Sequence, residues 1–344
     1  SRGNQIGKKA ILMRTIGYGI IGLGFFGEKH AEVAHSLPNV ELRAICTRND
    51  QRRRQIKRRL HVPADYRDYH DLLADPNIEA VSVVTHVDEH LEPTLAALEA
   101  GKHVLVEKPM ARHPADCDRM IEAAERADRI LMVGHICRFN PRYALARERV
   151  AAGEIGRIVS MYARRNIPAA ISKKVLEKVG PLLGDGVHDT DLMLWMSGAR
   201  VETAYALTEN IRGLEHPDIG WAMYRFDSRA IGVIENVWFL PEGTPFRIHE
   251  QLEIIGTHGT IYVHGGDLNL VIQGRSGTDS PDTLYWPQIH GEPTGALRTE
   301  MTYFIDCVTR GEKPTVVTPA EARAAVAAVA AAEQSAATGK VVGV

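Results

Sequence analysis

Gly22-Leu23-Gly24-Phe25-Phe26-Gly27 directly follows an apolar run and opens a segment of helical period. A G-x-G-x-x-G spacing in that context reads as a dinucleotide fingerprint. Gly22 permits a tight turn, Gly24 lets the backbone approach a pyrophosphate, and Gly27 lets helix and strand pack closely. The free N–H groups and partial positive charge of the helix N-terminus then face the phosphates. About 20 residues further on, where an acid would accept from a ribose 2′-hydroxyl, the chain reads Cys46-Thr47-Arg48-Asn49-Asp50. Thr47 and Arg48 at that spot suit a 2′-phosphate, which favours NADP over NAD, while Asp50 close behind keeps NAD open. A third feature is Glu107-Lys108-Pro109, which ends a short strand-like run. At the carboxyl end of a parallel strand, the Lys108 ammonium would orient a substrate hydroxyl and stabilise developing alkoxide charge.

Such residues need a scaffold that brings strand ends to one edge. Short β-like runs at 16–22, 40–47, 80–85, 103–106 and 130–133 alternate with helical periods such as 91–100 and 116–127, the rhythm of a parallel sheet with crossover helices. After Gly134 the rhythm changes. A helix at 142–151, a strand at 157–165 and a helix at 187–196 precede strands at 201–211, 219–226, 230–239, 250–256, 260–264 and 268–273, which read as an antiparallel sheet. An Ala-rich helix over 319–337 closes the chain at Gly339. The expectation is an α/β protein: a dinucleotide-binding domain over 13–135 and a substrate-binding and oligomerisation domain over 136–344. Residues 1–12 hold no apolar core, and Met13, directly before the first strand, is expected to lie close to the true start.

Several short motifs follow one another in order: the glycine run with His30, Thr85-His86-Val87-Asp88-Glu89-His90, Ala100-Gly101-Lys102-His103-Val104, Glu107-Lys108-Pro109, Gly134-His135-Ile136-Cys137-Arg138-Phe139-Asn140-Pro141, and Gly186-Val187-His188-Asp189-Thr190-Asp191. As an ordered set they resemble the Gfo/Idh/MocA oxidoreductase family, named for glucose-fructose oxidoreductase and inositol dehydrogenase, over nearly the whole chain. The resemblance implies an N-terminal Rossmann domain, a C-terminal α/β domain with a large, mostly antiparallel open sheet, and NAD(P)-linked hydride transfer at a secondary alcohol or ketone of a sugar or cyclitol. It carries catalytic roles to Lys108 and His188. The family often has an aspartate four residues before the histidine; here Gly184 stands there and the carboxylate is Asp185. Three-residue spacing still places Asp185 beside His188 on one helical face, where it would hold the imidazole, though it could instead cap the helix.

Cofactor contacts are expected from Gly22, Gly24, Phe25, Phe26 and Gly27, from Thr47 and Arg48, and from Thr85, His86 and His90, with Glu107, Lys108 and Pro109 at the nicotinamide end. His86 stands where the family usually has proline. Substrate contacts are expected from Lys108, Arg138, Asn140, Asp185 and His188, and from Arg165 in a basic segment, 164–174, read as a loop at the pocket edge. Alternatives of other classes are an NAD-dependent glycosidase using transient oxidation, a nucleotide-sugar dehydrogenase, and a dinucleotide sensor without catalysis.

Composition narrows the field further. Lys+Arg 41 against Asp+Glu 43 leaves a net charge of −2, and 6% aromatics gives no stacking surface, so neither nucleic acid nor membrane is expected as a partner. The run Arg52-Arg53-Arg54 to Arg59 reads as a solvated helix face. Cys46, Cys117, Cys137 and Cys307 form no C-x-x-C pair, and no metal is expected. The default is a cytoplasmic homodimer or homotetramer acting on a small sugar or cyclitol.

Overall fold

The structure is a computed structural model and describes residues 14–241, 243–265, 270–275 and 277–344. Met13 and positions 268–269 of the expected 268–273 strand lie outside the described residues.

The first half alternates β1 (Ile16–Ile21), α1 (Phe25–Ser36), β2 (Val40–Cys46), α2 (Asp50–Arg59), β3 (Ala64–Tyr66), α3 (Tyr69–Leu73), β4 (Ala80–Val83), α4 (Leu91–Glu99), β5 (His103–Glu107), α5 (Pro114–Ala127) and β6 (Leu131–Gly134). The strands pair in parallel in the order β3-β2-β1-β4-β5-β6. β1 is buried along its whole length, as a central parallel strand covered on both faces must be. The order reverses between β1 and β4, and the crevice at their carboxyl ends is where such a sheet binds ligands. On α2 only Ile56 is buried. Arg53 and Lys57 pair with Asp65, Arg52 with Glu28, and Arg59 with Glu28 and Glu32, so the basic run is largely neutralised within the fold.

The second half contains α6 (Pro141–Ala151), β7 (Ile158–Asn166), α7 (Ala169–Ser172), α8 (Val187–Ser197), β8 (Val201–Glu209), β9 (Ile219–Phe226), β10 (Ile231–Val237), β11 (His249–Gly256) and β12 (Thr260–His264). Two small hairpins follow, β13 (Ile272–Gly274) with β14 (Gly277–Asp279) and β15 (Gln288–Ile289) with β16 (Glu292–Pro293). Then come α9 (Ala296–Arg310), α10 (Pro319–Thr338) and β17 (Val342–Gly343). The large sheet runs β12-β11-β7-β10-β9-β8-β17, antiparallel except for the β7–β10 pair.

Two sequence expectations need correction, and one helix was not expected. Arg164 to Asn166 belong to β7, not to a loop: alternation along the strand turns every second residue into the core, and Arg165 follows that register. Leu270 and Val271 are not in a strand, and pairing there begins at Ile272. Helix α9 was not anticipated; it buries Leu297, Met301, Phe304 and Ile305 against α1 and the turn after β6. The Ala-rich α10 is a packed helix, started by a Thr318–Glu321 capping box and ended by Gly339 at φ 68°, and its buried alanines lie close to α5, α8 and β8.

Glu300 on α9 is fully buried, and neither carboxylate oxygen has a hydrogen-bond partner among the described residues. Burial, and then the charge of Glu107, push its carboxyl well above the ordinary range. As pH rises through the ordinary carboxylate range only the unfolded chain releases this proton, so stability falls until the folded group also ionises. Glu300→Gln removes that dependence. Thermal melts should show the variant with a higher Tm than wild type at about pH 8 and a much smaller gain at about pH 5; an equal difference at both rejects the account.

Candidate active site

The glycine turn has the shape that a bound pyrophosphate requires. Gly22 has φ +96°, and a Cβ there would lie 2.5 Å from the Val84 carbonyl oxygen; one on Gly27 would lie 2.0 Å from the Gly22 oxygen. A Cβ on Gly24 would meet nothing within 4 Å, so the backbone is open to an approaching group. No side chain caps the N-terminus of α1, which leaves its first N–H groups free for phosphate oxygens. These features fit a dinucleotide. Phe26 packs edge-on to Trp286 at 5.3 Å and to His30 at 5.2 Å, and the half-exposed Phe25 meets Trp286 at 6.1 Å. The two phenylalanines therefore join the glycine turn to the segment before β15.

At the ribose end, Thr47 Oγ1 accepts from the Asn49 amide at 3.4 Å, and Arg48 reaches out to Glu89 at 2.5 Å with its side chain 74% exposed. Asp50 is engaged by Arg53 at 2.8 Å. Along the wall, Thr85 Oγ1 donates to the Glu89 carbonyl at 2.8 Å. His86 is exposed and adopts φ −74° and ψ 153°, a conformation that a proline would share. The ring nitrogens of buried His90 face the Pro109 carbonyl at 2.8 Å and the Thr85 carbonyl at 3.1 Å. His90 thus ties the ends of β4 and β5 together from below, and burial lowers its pKa. Lys108-Pro109 is a cis peptide. Glu107 is held beneath it: Oε1 meets His30 Nε2 at 3.0 Å and Oε2 accepts from the Lys108 amide at 3.2 Å. His30 continues to Ser82 at 3.0 Å, and Ser82 to Tyr18 at 2.7 Å.

Lys108, at the end of β5, sends its ammonium to the Gly184 carbonyl at 2.8 Å and stands 3.7 Å from Asp185. Asp185 lies in a π-helical turn, Leu182–Gly186, that runs directly into α8, and no side chain caps this junction. The displaced carboxylate has a steric reason: a Cβ at position 184 would lie 2.5 Å from the Trp238 ring. Asp185 is the neighbouring position from which a carboxylate reaches Lys108.

His188, in the first turn of α8, is 7% exposed, and its Nδ1 lies 3.6 Å from Cys137 Sγ. Burial, followed by the positive charges of Lys108 and Arg165, holds its pKa well below the ordinary imidazole range. It is therefore a neutral acceptor at physiological pH.

Two expected substrate contacts are corrected here. Arg138 is 2% exposed and clasps Asp191 in a fork, at 2.9 and 2.6 Å, with a third bond to the Val316 carbonyl at 2.7 Å. Arg165 is equally buried and bonds Asp189 at 3.1 Å and Glu250 at 2.8 Å. Guanidinium groups committed to buried carboxylates have no fork left for a ligand. Asn140 caps α6 through a bond from the Arg142 amide at 3.1 Å. Burial, opposed by Arg165, pushes Asp189 up to about 6.

Sequence reasoning missed Cys137, which lies against His188, and Tyr285 and Glu250, which follow it in a chain of contacts. Cys137 lay inside a recognised motif, but Tyr285 stands 148 positions away with no motif around it. Among the described residues no cluster of His, Cys, Asp and Glu has metal-ligand form, and no helix is long and apolar enough to cross a membrane.

Comparison with known proteins agrees with this geometry. The description "Oxidoreductase family, NAD-binding Rossmann fold" matches residues 16–135, and the "GFO/IDH/MocA C-terminal domain" matches residues 143–262. Myo-inositol 2-dehydrogenase of Thermotoga maritima is 31% identical over 87% of this chain and 90% of its own length. Scyllo-inositol 2-dehydrogenase (NAD(+)) of Bacillus subtilis is 29% identical over 86% of this chain and 87% of its own. The crystal structure of myo-inositol 2-dehydrogenase from Lactobacillus plantarum superposes with a TM-score of 0.84 at 26% identity, covering 96% of this chain and all of that one. With its glycine turn, its Glu-Lys-Pro strand end and its histidine helix in these places, the chain belongs to the Gfo/Idh/MocA family of oxidoreductases.

Proposed function

We propose that the protein is a nicotinamide-dependent dehydrogenase acting on a ring secondary alcohol, with cyclitols as the first substrate class. The observation that carries this reading is the convergence of Lys108, Asp185 and His188, from β5 and the start of α8, at the carboxyl edge of the sheet that bears the glycine turn. Gly22, Gly24 and the N-terminus of α1 would hold the pyrophosphate; the bound nicotinamide supplies a hydride acceptor for the alcohol carbon. The chain's part is proton chemistry and positioning. Neutral His188 takes the hydroxyl proton, and the Lys108 ammonium, anchored by the Gly184 carbonyl and Asp185, donates to the alcohol oxygen as negative charge develops there. Asp185, partly exposed, gives that site its contact with solvent.

The test is the absorbance of reduced nicotinamide across a panel of cyclitols, aldoses and nucleotide sugars. Net reduction with a cyclitol is the expected result. Glycoside cleavage without net reduction would make the protein a glycosidase, and binding without either would make it a sensor; both overturn the reading.

For the cofactor, NADP is favoured. Thr47 offers no carboxylate to a 2′-hydroxyl, Asp50 is occupied by Arg53, and Arg48 is an exposed guanidinium with one surface partner. Arg48→Ala should weaken NADP binding about tenfold or more, the scale of one charge-assisted contact, and leave NAD unchanged in calorimetric titration. Tighter NAD than NADP in wild type, with NADP unaffected by the substitution, rejects the preference.

A homodimer or homotetramer joined through the large sheet completes the proposal. One face of that sheet lies under α8 and α10, while the other presents Tyr205, Leu207, Trp221, Met223, Ile231 and Tyr262 to solvent. So large an apolar patch is rarely left bare. Light scattering should give a multiple of 38.0 kDa; 38.0 kDa itself at micromolar concentration would refute it. Four buried, unpaired cysteines suit a reducing compartment such as the cytoplasm.

A further inference from the structure

Behind His188 lies a group of side chains that the proposed reaction does not use. Cys137 Sγ is 3.6 Å from His188 Nδ1 and 3.7 Å from the Tyr285 hydroxyl, and it accepts from Arg165 Nη2 at 3.6 Å. The Tyr285 hydroxyl in turn donates to Glu250 Oε2 at 2.5 Å. All of these groups are buried.

Counting hydrogens gives the chain a direction. Burial alone would raise the Glu250 carboxyl, but Arg165, Arg142 and the Tyr285 hydroxyl hold it below the ordinary range, so it is a carboxylate and can only accept. The single Tyr285 proton is committed to it, which leaves the Tyr285 oxygen as an acceptor toward Cys137. Burial pushes the Cys137 thiol up to about 12, so it keeps its hydrogen. If the S–H pointed at His188, the sulfur and the Tyr285 oxygen would face each other with lone pairs alone. Only one arrangement puts a hydrogen in every contact: His188 Nδ1–H to sulfur, S–H to the Tyr285 oxygen, and O–H to Glu250.

We propose that Cys137, Tyr285 and Glu250 form a directional relay that positions His188, holding its proton on Nδ1 and leaving Nε2 as the open base. The proposal rests on the reading of His188 as the acceptor of the hydroxyl proton. Lys108 and Arg165 both oppose a positive charge on this imidazole. A chain of polarisable bonds ending on a buried carboxylate offsets part of that opposition when Nε2 takes a proton, the orienting task that a carboxylate performs for the histidine of a hydrolase triad.

The experiment is long-range proton–nitrogen correlation NMR on the whole protein with ¹⁵N-labelled histidine, with His188 assigned by the signal lost in His188→Gln. Wild type should show the Nδ1–H tautomer. Cys137→Ala and Tyr285→Phe should each shift His188 toward Nε2–H and lower kcat roughly ten- to a hundredfold with KM unchanged. Cys137→Ser, which can still accept and donate, should retain both the tautomer and kcat, separating a hydrogen-bonding role from simple packing. An Nε2–H tautomer in wild type, or an unchanged tautomer in both disruptive variants, overturns the relay. Because the tautomer is read without turnover, failure of the relay in the spectrum and failure of the base assignment in His188→Ala are separate results.

Discussion

Turnover should fall about 10²- to 10⁴-fold in Lys108→Ala and in His188→Ala, the range lost when a positioned acid–base group is removed. The two losses have different physical origins and leave different traces. His188→Ala removes the proposed proton acceptor, so kcat should drop while the binding of NAD or NADP, which the proposal gives to the glycine turn and the β2 end, should not change. Lys108→Ala removes the ammonium proposed to face the developing alkoxide, and it also removes one of the positive charges that depress the His188 imidazole. In that variant the His188 pKa rises, and the acid limb of the kcat/KM profile moves to higher pH. In wild type the depressed pKa keeps His188 unprotonated and competent below the ordinary imidazole range, so activity persists as pH falls toward it and is lost only under more acid conditions. Stopped-flow turnover across pH, together with equilibrium cofactor titration of each variant, checks all three expectations. Full activity in either alanine variant would remove that residue from the mechanism.

What the sequence made legible follows from how local the signals are. The β1–glycine–α1 unit could be read because a strand, a turn and a helix start are contiguous, and Gly22 and Gly27 answer backbone constraints seen in the fold, such as the 2.0 Å approach at Gly27. Lys108 was legible as the last residue before a proline at a strand end, and α10 announced itself through its alanine-rich run and terminal glycine. Arg165 was misread because a run of charges suggests a loop, whereas its partners Asp189 and Glu250 lie 24 and 85 positions away and are invisible to a local pattern. The same distance hid Tyr285. The shift from position 184 to Asp185 was visible as a departure, but its cause, the Trp238 ring packed on Gly184, exists only once β10 and the π-helical turn are brought together. Long-range packing, not local propensity, decides these positions.

Arg138 carries the largest expected effect on stability. Its guanidinium is buried, forks onto Asp191, bonds the Val316 carbonyl and lies over the Trp195 ring with its centre 5.3 Å from the ring centroid. Asp191 is equally buried, and its other ionisable neighbour, His135 at 3.5 Å, is kept neutral by its own burial. Arg138→Met preserves much of the stem's volume but leaves the Asp191 carboxylate in the core without a counter-charge. Breaking one side of such a pair costs about 3–5 kcal/mol, whereas replacing both charges with groups of similar shape is often close to neutral. Chemical denaturation should therefore show a loss of about 3–5 kcal/mol in Arg138→Met and recovery of most of it in the Arg138→Met, Asp191→Leu double variant. A substrate-gripping arginine would behave in the opposite way, with unchanged stability and a raised KM. Because α6, α9 and the segment ahead of α10 meet around this pair, its loss would loosen the packing that holds α8 against the sheet, and with it the placement of His188.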